Sequence, residues 1–369
     1  MTMLTSVDAS EPAQQIRFCR LRDDGARLAY AIHGTGPTLV VASCWLSHLQ
    51  HDWQSPVWRH FLDDLGGITR LVRYDERGFG LSDWNVTDFS LDAQVADLEA
   101  VIDALGADRF ALMGMSGHSP VALAYAARHP ERVTRLILYG GWAGQPPPTP
   151  NSKYDLDEAA YQAMVRAGWA RPDPLFRRVF TNMFIPGATE VQMEWVDDLQ
   201  RMSTSTDNML AARAERIRTD VVRLLPNISA PTLVLHARGD RAIDFKHARL
   251  LATSIPGGRL VPLESSNHIL LADEPAWAVF MNEVRAFMEP DRKIGLPLPD
   301  ASRIAALTVR EREILRHAAD GRGNEEIAEE LTLSTRTVER HLSNAYLKLG
   351  ISGRSARTAA VARLLREGL

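Results

Sequence analysis

The chain has 369 residues, 45% of them hydrophobic and 24% charged, with a formal charge of −4. Such a length exceeds one ordinary domain, so two are expected, the larger with a full core, and the ordinary composition excludes a disordered or fibrous chain. The start shows no signal-peptide pattern, and no run approaches the ~18 uncharged apolar residues of a membrane span, so a soluble, cytoplasmic protein with no membrane partner is expected.

The two cysteines, Cys19 and Cys44, are too few for a disulfide framework and match no metal-ligand spacing. Both are expected to be reduced, and neither a metal nor a cofactor is called for.

Residues 1–15 read as a tail. From residue 16 to 140, short β-rich runs alternate with helical ones: "LVVAS" at 39–43, "RLVRYDERG" at 70–78, "FALMG" at 110–114 and "LILYGG" at 136–141. Between them, Leu91, Val95, Leu98, Ile102 and Leu105 repeat at helical spacing. Strand–helix alternation of this kind predicts an α/β domain with a mainly parallel sheet covered on both faces.

"GQPPPTP" at 144–150 interrupts the pattern, because successive prolines forbid both helix and central strand. Residues 151–225 then read as mostly helical and carry Trp169, Phe176, Phe180, Met183, Phe184 and Trp195. Two readings stand open for the segment 142–225: helices packed on the sheet, or a cap closing over an apolar ligand. Strand signals return at 231–240 and 259–268, and a helix near 275–288 closes the first domain, 16–288. The polar, proline-containing stretch "EPDRKIGLPLPD" at 289–300 reads as a linker.

Three residues in the first domain fall at strand ends in the order Ser, Asp, His. Ser116 sits at a strand-to-helix turn in "ALMGMSGHSPVALAYAARHPERV", Asp240 follows "TLVLHARG", and His268 follows the strand within "RLVPLESSN". A serine hydroxyl becomes a competent nucleophile when a histidine takes its proton and a carboxylate orients that histidine, so this set predicts a catalytic triad.

With "YDERGFGLSD" at 74–83 and "AYAARHPERV" after the serine, residues 16–288 resemble the α/β-hydrolase fold family. The resemblance implies an acyl-enzyme route through Ser116, His268 and Asp240. It also implies an oxyanion site built from the backbone of Gly117 and of Trp45. The chain departs from the family at two places: Ser43-Cys44-Trp45 replaces the usual His-Gly-x, and His118 stands two past the serine, where the family has a small residue. His118 reads either as a polar group in or beside the pocket or as a substitution absorbed by altered packing.

The remaining segment, 301–369, holds 12 Lys and Arg against 9 Asp and Glu, and its 334–366 part holds 7 basic residues against Glu339 alone. Thr308 and Glu311 form a capping-box pattern opening one helix. A second runs from Asn324 to Leu331. A third is capped by Ser334 and buries Val338, Leu342, Ala345 or Tyr346, and Leu349. Two short helices joined by a tight turn, the second basic, predict a helix-turn-helix that reads double-stranded DNA.

Over 307–356 the segment resembles the LuxR-type helix-turn-helix family, including its Leu-Thr-x-Arg-Glu, Asn-x-Glu-Ile-Ala, Thr-Val-x-x-His and Lys-Leu-Gly motifs. Carried over, Glu339, Arg340 and Ser343 face base edges, Thr335, Thr337 and Lys348 face phosphates, and Arg336 lies on the same exposed face. A helix from about 355 to 366 is implied to dimerise the chain on a two-fold site, with RNA polymerase a further partner of such a regulator.

Two functions compete. One is a transcription regulator whose hydrolase-like domain senses, and slowly hydrolyses, a small apolar ester, lactone or related ligand. The other is a serine esterase or lactonase with an accessory DNA-binding domain.

Overall fold

The computed structural model describes residues 14–21, 25–44, 46–144, 153–289, 307–349, 357, 360 and 361. Most of the expected tail, Trp45, the proline run after Gly144, the linker after Glu289 and most of the helix expected at 355–366 lie outside them. The chain divides into two compact units, Met1–Met288 and Glu289–Leu369.

Among the described residues the first unit is built on eight strands: β1 (Gln15–Arg20), β2 (Arg27–His33), β3 (Thr38–Val41), β4 (Arg70–Tyr74), β5 (Phe110–Met115), β6 (Val133–Tyr139), β7 (Thr232–Ala237) and β8 (Arg259–Leu263). They lie in the order β1-β2-β4-β3-β5-β6-β7-β8. β1 and β2 pair antiparallel, β2 and β4 antiparallel, and all later neighbours parallel. The antiparallel edge is the part that strand–helix alternation does not announce, because a two-strand hairpin needs no helix between its members.

Among the described residues these helices cover the sheet or the strand ends: α1 (Leu49–Asp52), α2 (Arg59–Gly66), α3 (Leu91–Leu105), α4 (Ser119–Arg128), α5 (Lys153–Gly168), α6 (Arg177–Phe184), α7 (Glu190–Ser203), α8 (Thr206–Arg218) and α9 (Lys246–Ser254); α10 (Pro275–Met288) follows the last strand. The central strands are apolar on both faces because each face has its own cover. Val40, Leu112, Leu136 and Val234 pack with α3, α4 and α9, while Leu39, Met113, Ile137 and Leu235 pack with α2 and α10. Side chains alternate along a strand, so one continuous hydrophobic run supplies both cores.

Helices α5 to α8 form the segment expected between 142 and 225. They contribute Val165, Trp169, Phe180, Leu199 and Met209 to the α2/α10 face and keep a polar centre of their own. There the buried Arg177 guanidinium donates to the carbonyls of Gly168, Trp169 and Asp197 at 3.1, 2.9 and 2.9 Å.

The "DERG" motif is mostly structural. Arg77 donates to Asp97 on α3 at 2.6 and 2.9 Å. Asp75 accepts from Ser47 Oγ at 2.6 Å and from the backbone N–H of Leu49 and Leu81 at 3.2 and 2.9 Å. Gly80 has φ +54, and a Cβ there would lie 2.1 Å from the Asp75 carboxylate, so no other residue fits.

The second unit holds α11 (Val309–Ala319), α12 (Asn324–Glu330) and α13 (Thr335–Leu349). Thr308 and Glu311 make the capping box reciprocally, at 3.2 and 2.7 Å. Ile314, Leu315, Ile327, Val338, Leu342, Ala345 and Leu349 share a small core, with Tyr346 half-buried against it. This resolves the open register in favour of Ala345. Ala360, from the expected fourth helix, is buried in the same core.

Candidate functional site

Ser116 follows directly on the central strand β5 and opens a single 3₁₀ turn, Ser116–His118, that leads into α4. Its φ of +49 is left-handed, a conformation that costs a non-glycine residue about 1–3 kcal/mol and lifts the side chain clear of the strand end. The helix after the turn runs so close to the sheet that a Cβ on Gly114 would stand 2.8 Å from Ala122 Cβ.

The three residues expected to act together meet. His268 Nε2 lies 2.8 Å from Ser116 Oγ, and His268 Nδ1 lies 2.6 Å from Asp240 Oδ2. Asp240 Oδ1 accepts from the N–H groups of Ala242 and Ile243 at 2.8 and 2.9 Å. Burial works to raise the Asp240 pKa, but His268 and the Ile243 N–H outweigh it and hold the carboxyl below its ordinary value. An ionised Asp240 fixes the proton on His268 Nδ1 and leaves Nε2 to accept from the serine.

The loop carrying His268 is held from three directions. Tyr139 Oη donates to the His268 carbonyl at 2.7 Å and accepts from Leu270 N–H at 3.0 Å. His268 N–H donates to the Phe184 carbonyl at the end of α6 at 2.8 Å. Asn267 donates to Glu274 at 2.8 Å and accepts from Gly187 N–H at 2.8 Å. Gly140 has φ +56, and a Cβ on it would lie 2.9 Å from His268 Cε1. None of these supports was named from the sequence, although the glycine pair closing "LYGG" was a legible sign of a close approach.

The pocket beside Ser116 is lined by Cys44, Trp58, Met115, Ser116, Tyr139, Phe184, His268 and Ile269. Such a lining suits a small, mainly apolar ligand. Cys44 is no rival nucleophile, since burial pushes its thiol pKa up. Trp45, expected to supply an oxyanion donor, lies outside the described residues; its neighbours Ser43 and Leu46 both hold left-handed conformations, with φ of +41 and +61.

Of the two readings of His118, the geometry matches altered packing. His118 is not a pocket group: its ring turns behind the elbow, is 1% exposed, and places Nε2 2.7 Å from Glu76 Oε2. The second Glu76 oxygen accepts from Arg216 on α8 at 2.5 Å. Burial alone would raise the Glu76 pKa, yet Arg216 and His118 hold it below its ordinary value. A histidine is accommodated here because a buried carboxylate meets it, and the carboxylate is tolerated because an arginine from the following helices meets that in turn.

In the second unit, Arg336, Glu339, Arg340 and Ser343 are exposed on α13, while Val338, Leu342 and Ala345 are buried. The helical period puts the four on one outward face. Thr335 and Thr337 are half-buried at its start, with the Thr337 hydroxyl 2.8 Å from Ser334 Oγ and so engaged in the cap. The turn between α12 and α13 is made tight by Thr332 at φ +54. Lys348, expected at a phosphate, donates to both oxygens of Glu311 at 2.9 and 2.8 Å. Glu311 is 3% exposed and needs a cation there.

Among the described residues no helix is long and apolar enough to cross a membrane, and no cluster of three or more His, Cys, Asp or Glu is placed to hold a metal.

Comparison with known proteins matches residues 37–275 to the family described as alpha/beta hydrolase fold and residues 305–361 to the family described as bacterial regulatory proteins, luxR family. A 2-hydroxy-6-oxo-2,4-heptadienoate hydrolase of Pseudomonas putida is 28% identical over 237 residues, covering 58% of this chain and 72% of that protein. A 2-hydroxymuconate semialdehyde hydrolase of a Pseudomonas species is 28% identical over 269 residues, covering 65% and 80%. Among solved structures, a hydrolase from Pseudomonas aeruginosa aligns with a TM-score of 0.60 at 26% identity, over 74% of this chain and 98% of that one.

Proposed function

Since the chain belongs to the α/β-hydrolase fold family and carries a LuxR-type helix-turn-helix domain, we propose that it is a DNA-binding transcription regulator whose hydrolase-fold domain senses, and slowly hydrolyses, a small apolar ester or lactone. The observation that carries this reading is the presence in one chain of a mainly apolar pocket around Ser116 and a helix-turn-helix whose second helix presents Arg336, Glu339, Arg340 and Ser343 outward. A pocket that only fed metabolism gains nothing from holding DNA, whereas a switch needs both a ligand site and a readout.

In this reading the ligand enters beside Ser116, with His268 as general base and Asp240 as its orienting partner. Gly117 N–H lies just after the nucleophile, where it receives the developing oxyanion. Helices α5–α8 act as the cap. Occupancy favours one arrangement of a homodimer over another, and operator affinity follows by the difference in ligand affinity for the two. Arg340 and Glu339 read bases, Glu339 accepting from cytosine N4 where a lysine would seek guanine.

The test is operator binding by fluorescence anisotropy across a panel of short-chain esters and lactones. A shift in affinity of about fivefold or more with one of them is expected; indifference to every compound that enters the pocket would sink the sensing reading. The esterase alternative predicts instead fast multiple turnover with operator affinity unmoved. Labelling by a fluorophosphonate reports separately on whether Ser116 is a working nucleophile.

A further inference from the structure

His236 lies on β7, four residues before Asp240, and is wholly buried. The strand around it is apolar: Leu233 and Leu235 pack on one face and Val234 on the other, and the register pairs His236 with Pro262 of β8. In this setting an imidazole is an expensive core residue, because its Nδ1 is buried without a partner among the described residues. A leucine would fill the strand position without that penalty. Whatever the ring contributes comes from its other nitrogen.

That nitrogen has two neighbours. His236 Nε2 lies 2.8 Å from the Ile243 carbonyl and 3.4 Å from Asp240 Oδ2. A carbonyl only accepts, so Nε2 carries the proton. Burial pushes the ring's pKa below its ordinary value, which keeps it neutral with Nδ1 bare. Phe245 stands edge-on against the ring, with centroids 5.8 Å apart.

Both neighbours belong to the piece that aims the triad carboxylate. The N–H groups of Ala242 and Ile243 donate to Asp240 Oδ1, so the His236 N–H on the Ile243 carbonyl closes a clasp between β7, the turn 240–243 and the carboxylate. The other oxygen, Oδ2, is the one that His268 Nδ1 meets at 2.6 Å. The positive end of the His236 N–H dipole beside Oδ2 favours the ionised carboxylate that the mechanism needs. Against burial, which works to raise the Asp240 pKa, His268 and the Ile243 N–H hold it down, and His236 adds to them.

We propose that His236 is a positioning residue of the triad: its Nε2–H clasps the turn from Asp240 to Ile243 and stands against Asp240 Oδ2, so that this oxygen is presented to His268 Nδ1. The inference rests on the hydrolytic part of the proposed function for its kinetic readout alone, since the Asp240–His268 pair has a readout that needs no turnover.

Two substitutions in the full chain test it. His236→Phe keeps a ring of similar size and removes the N–H, whereas His236→Gln carries an amide N–H at about the reach of imidazole Nε2. The rate of fluorophosphonate labelling of Ser116 is followed against probe concentration. His236→Phe is expected to lower the maximal rate about tenfold and to leave the half-saturating concentration within about twofold, while His236→Gln recovers to within about threefold of the native rate. Should the Phe variant not fold, His236→Met, which also lacks the N–H, makes the same comparison. The second readout is the far-downfield proton resonance of the short His268–Asp240 hydrogen bond, identified by its loss in His268→Ala. It should move or broaden away in the Phe variant and return in the Gln variant.

A native maximal rate and an unmoved resonance in His236→Phe overturn the proposal. So does a Gln variant that restores nothing, because the ring then serves packing alone, or a Phe variant that changes only the half-saturating concentration. Absence of labelling in the native chain, with a resonance that still answers to His236, would instead refute hydrolysis while leaving the positioning role intact.

Discussion

The elbow at Ser116 and the outward face of α13 are assembled in opposite ways. The triad joins residues 116, 240 and 268, the serine and the histidine that touches it standing 152 positions apart in the chain. The exposed face of α13 draws Arg336, Glu339, Arg340 and Ser343 from one helix. Damage to distant supports should therefore disable the first site, while the second should answer mainly to the side chain removed. The same contrast appears in burial: His118, Glu76 and Arg216 form a desolvated chain behind the elbow, whereas Arg340 is exposed.

The largest effect is expected for Ser116→Ala, which should abolish fluorophosphonate labelling and lower any ester turnover by about a thousandfold or more. Operator affinity without ligand should not move. Residual labelling at another residue would show that the assembled triad is not the reactive centre.

Next comes Arg216→Met, which leaves Glu76 buried with His118 as its remaining partner. A loss of about 3 kcal/mol in the hydrolase-domain transition is expected by calorimetry, together with slower labelling of a serine that Arg216 never touches. The support also has a pH signature. Glu76 and Asp240 both have folded pKa values below the ordinary 4.5 and 3.8, so the stability they lend is complete above those values. It is lost as pH falls through the lower folded ones. Arg216→Met should flatten the acid limb. An unchanged limb, or a cost under about 1 kcal/mol, would mean that the exposed and buried regions differ less than their geometry implies.

Arg340→Ala should cost about 1–3 kcal/mol on a cognate operator and relax preference at one base position, with Tm unchanged. Equal losses on all sequences would reassign it to a phosphate. The smallest effect is expected for Lys348→Met. Lys348 pairs with Glu311 at a partly exposed site, so a loss of under about 1 kcal/mol in helix-turn-helix stability is expected. The salt dependence of DNA binding should change by well under one unit of slope. A full unit would return Lys348 to the phosphate role that the sequence resemblance implied.

The sequence was most legible where the signal is local. The capping box at Thr308 and Glu311, the stripe from Val338 to Leu349 and the strand-to-helix turn at Ser116 each follow from a few neighbouring residues and a fixed period. The antiparallel β1–β2 edge was not announced, because pairing between strands leaves no mark on either one alone. Gly140 beside the His268 ring and the three-way support of the His268 loop were missed for a related reason: a close approach belongs to two distant segments. The Lys348–Glu311 pair was not foreseen, because resemblance carries over a residue's position but not the partner that waits for it.

By itself, then, the amino-acid order determined two modules, a mainly parallel α/β unit and a helix-turn-helix, through periodicity, capping and motif spacing. Only the tertiary structure decided what the polar residues do. It turned His118 away from the pocket, because a buried carboxylate on the loop after β4 and an arginine on α8 reach the back of the elbow together. It set His236 against the Asp240 carboxylate. A buried polar group is defined by what desolvates it and what pairs with it, and both are supplied by the fold rather than by its neighbours in the chain.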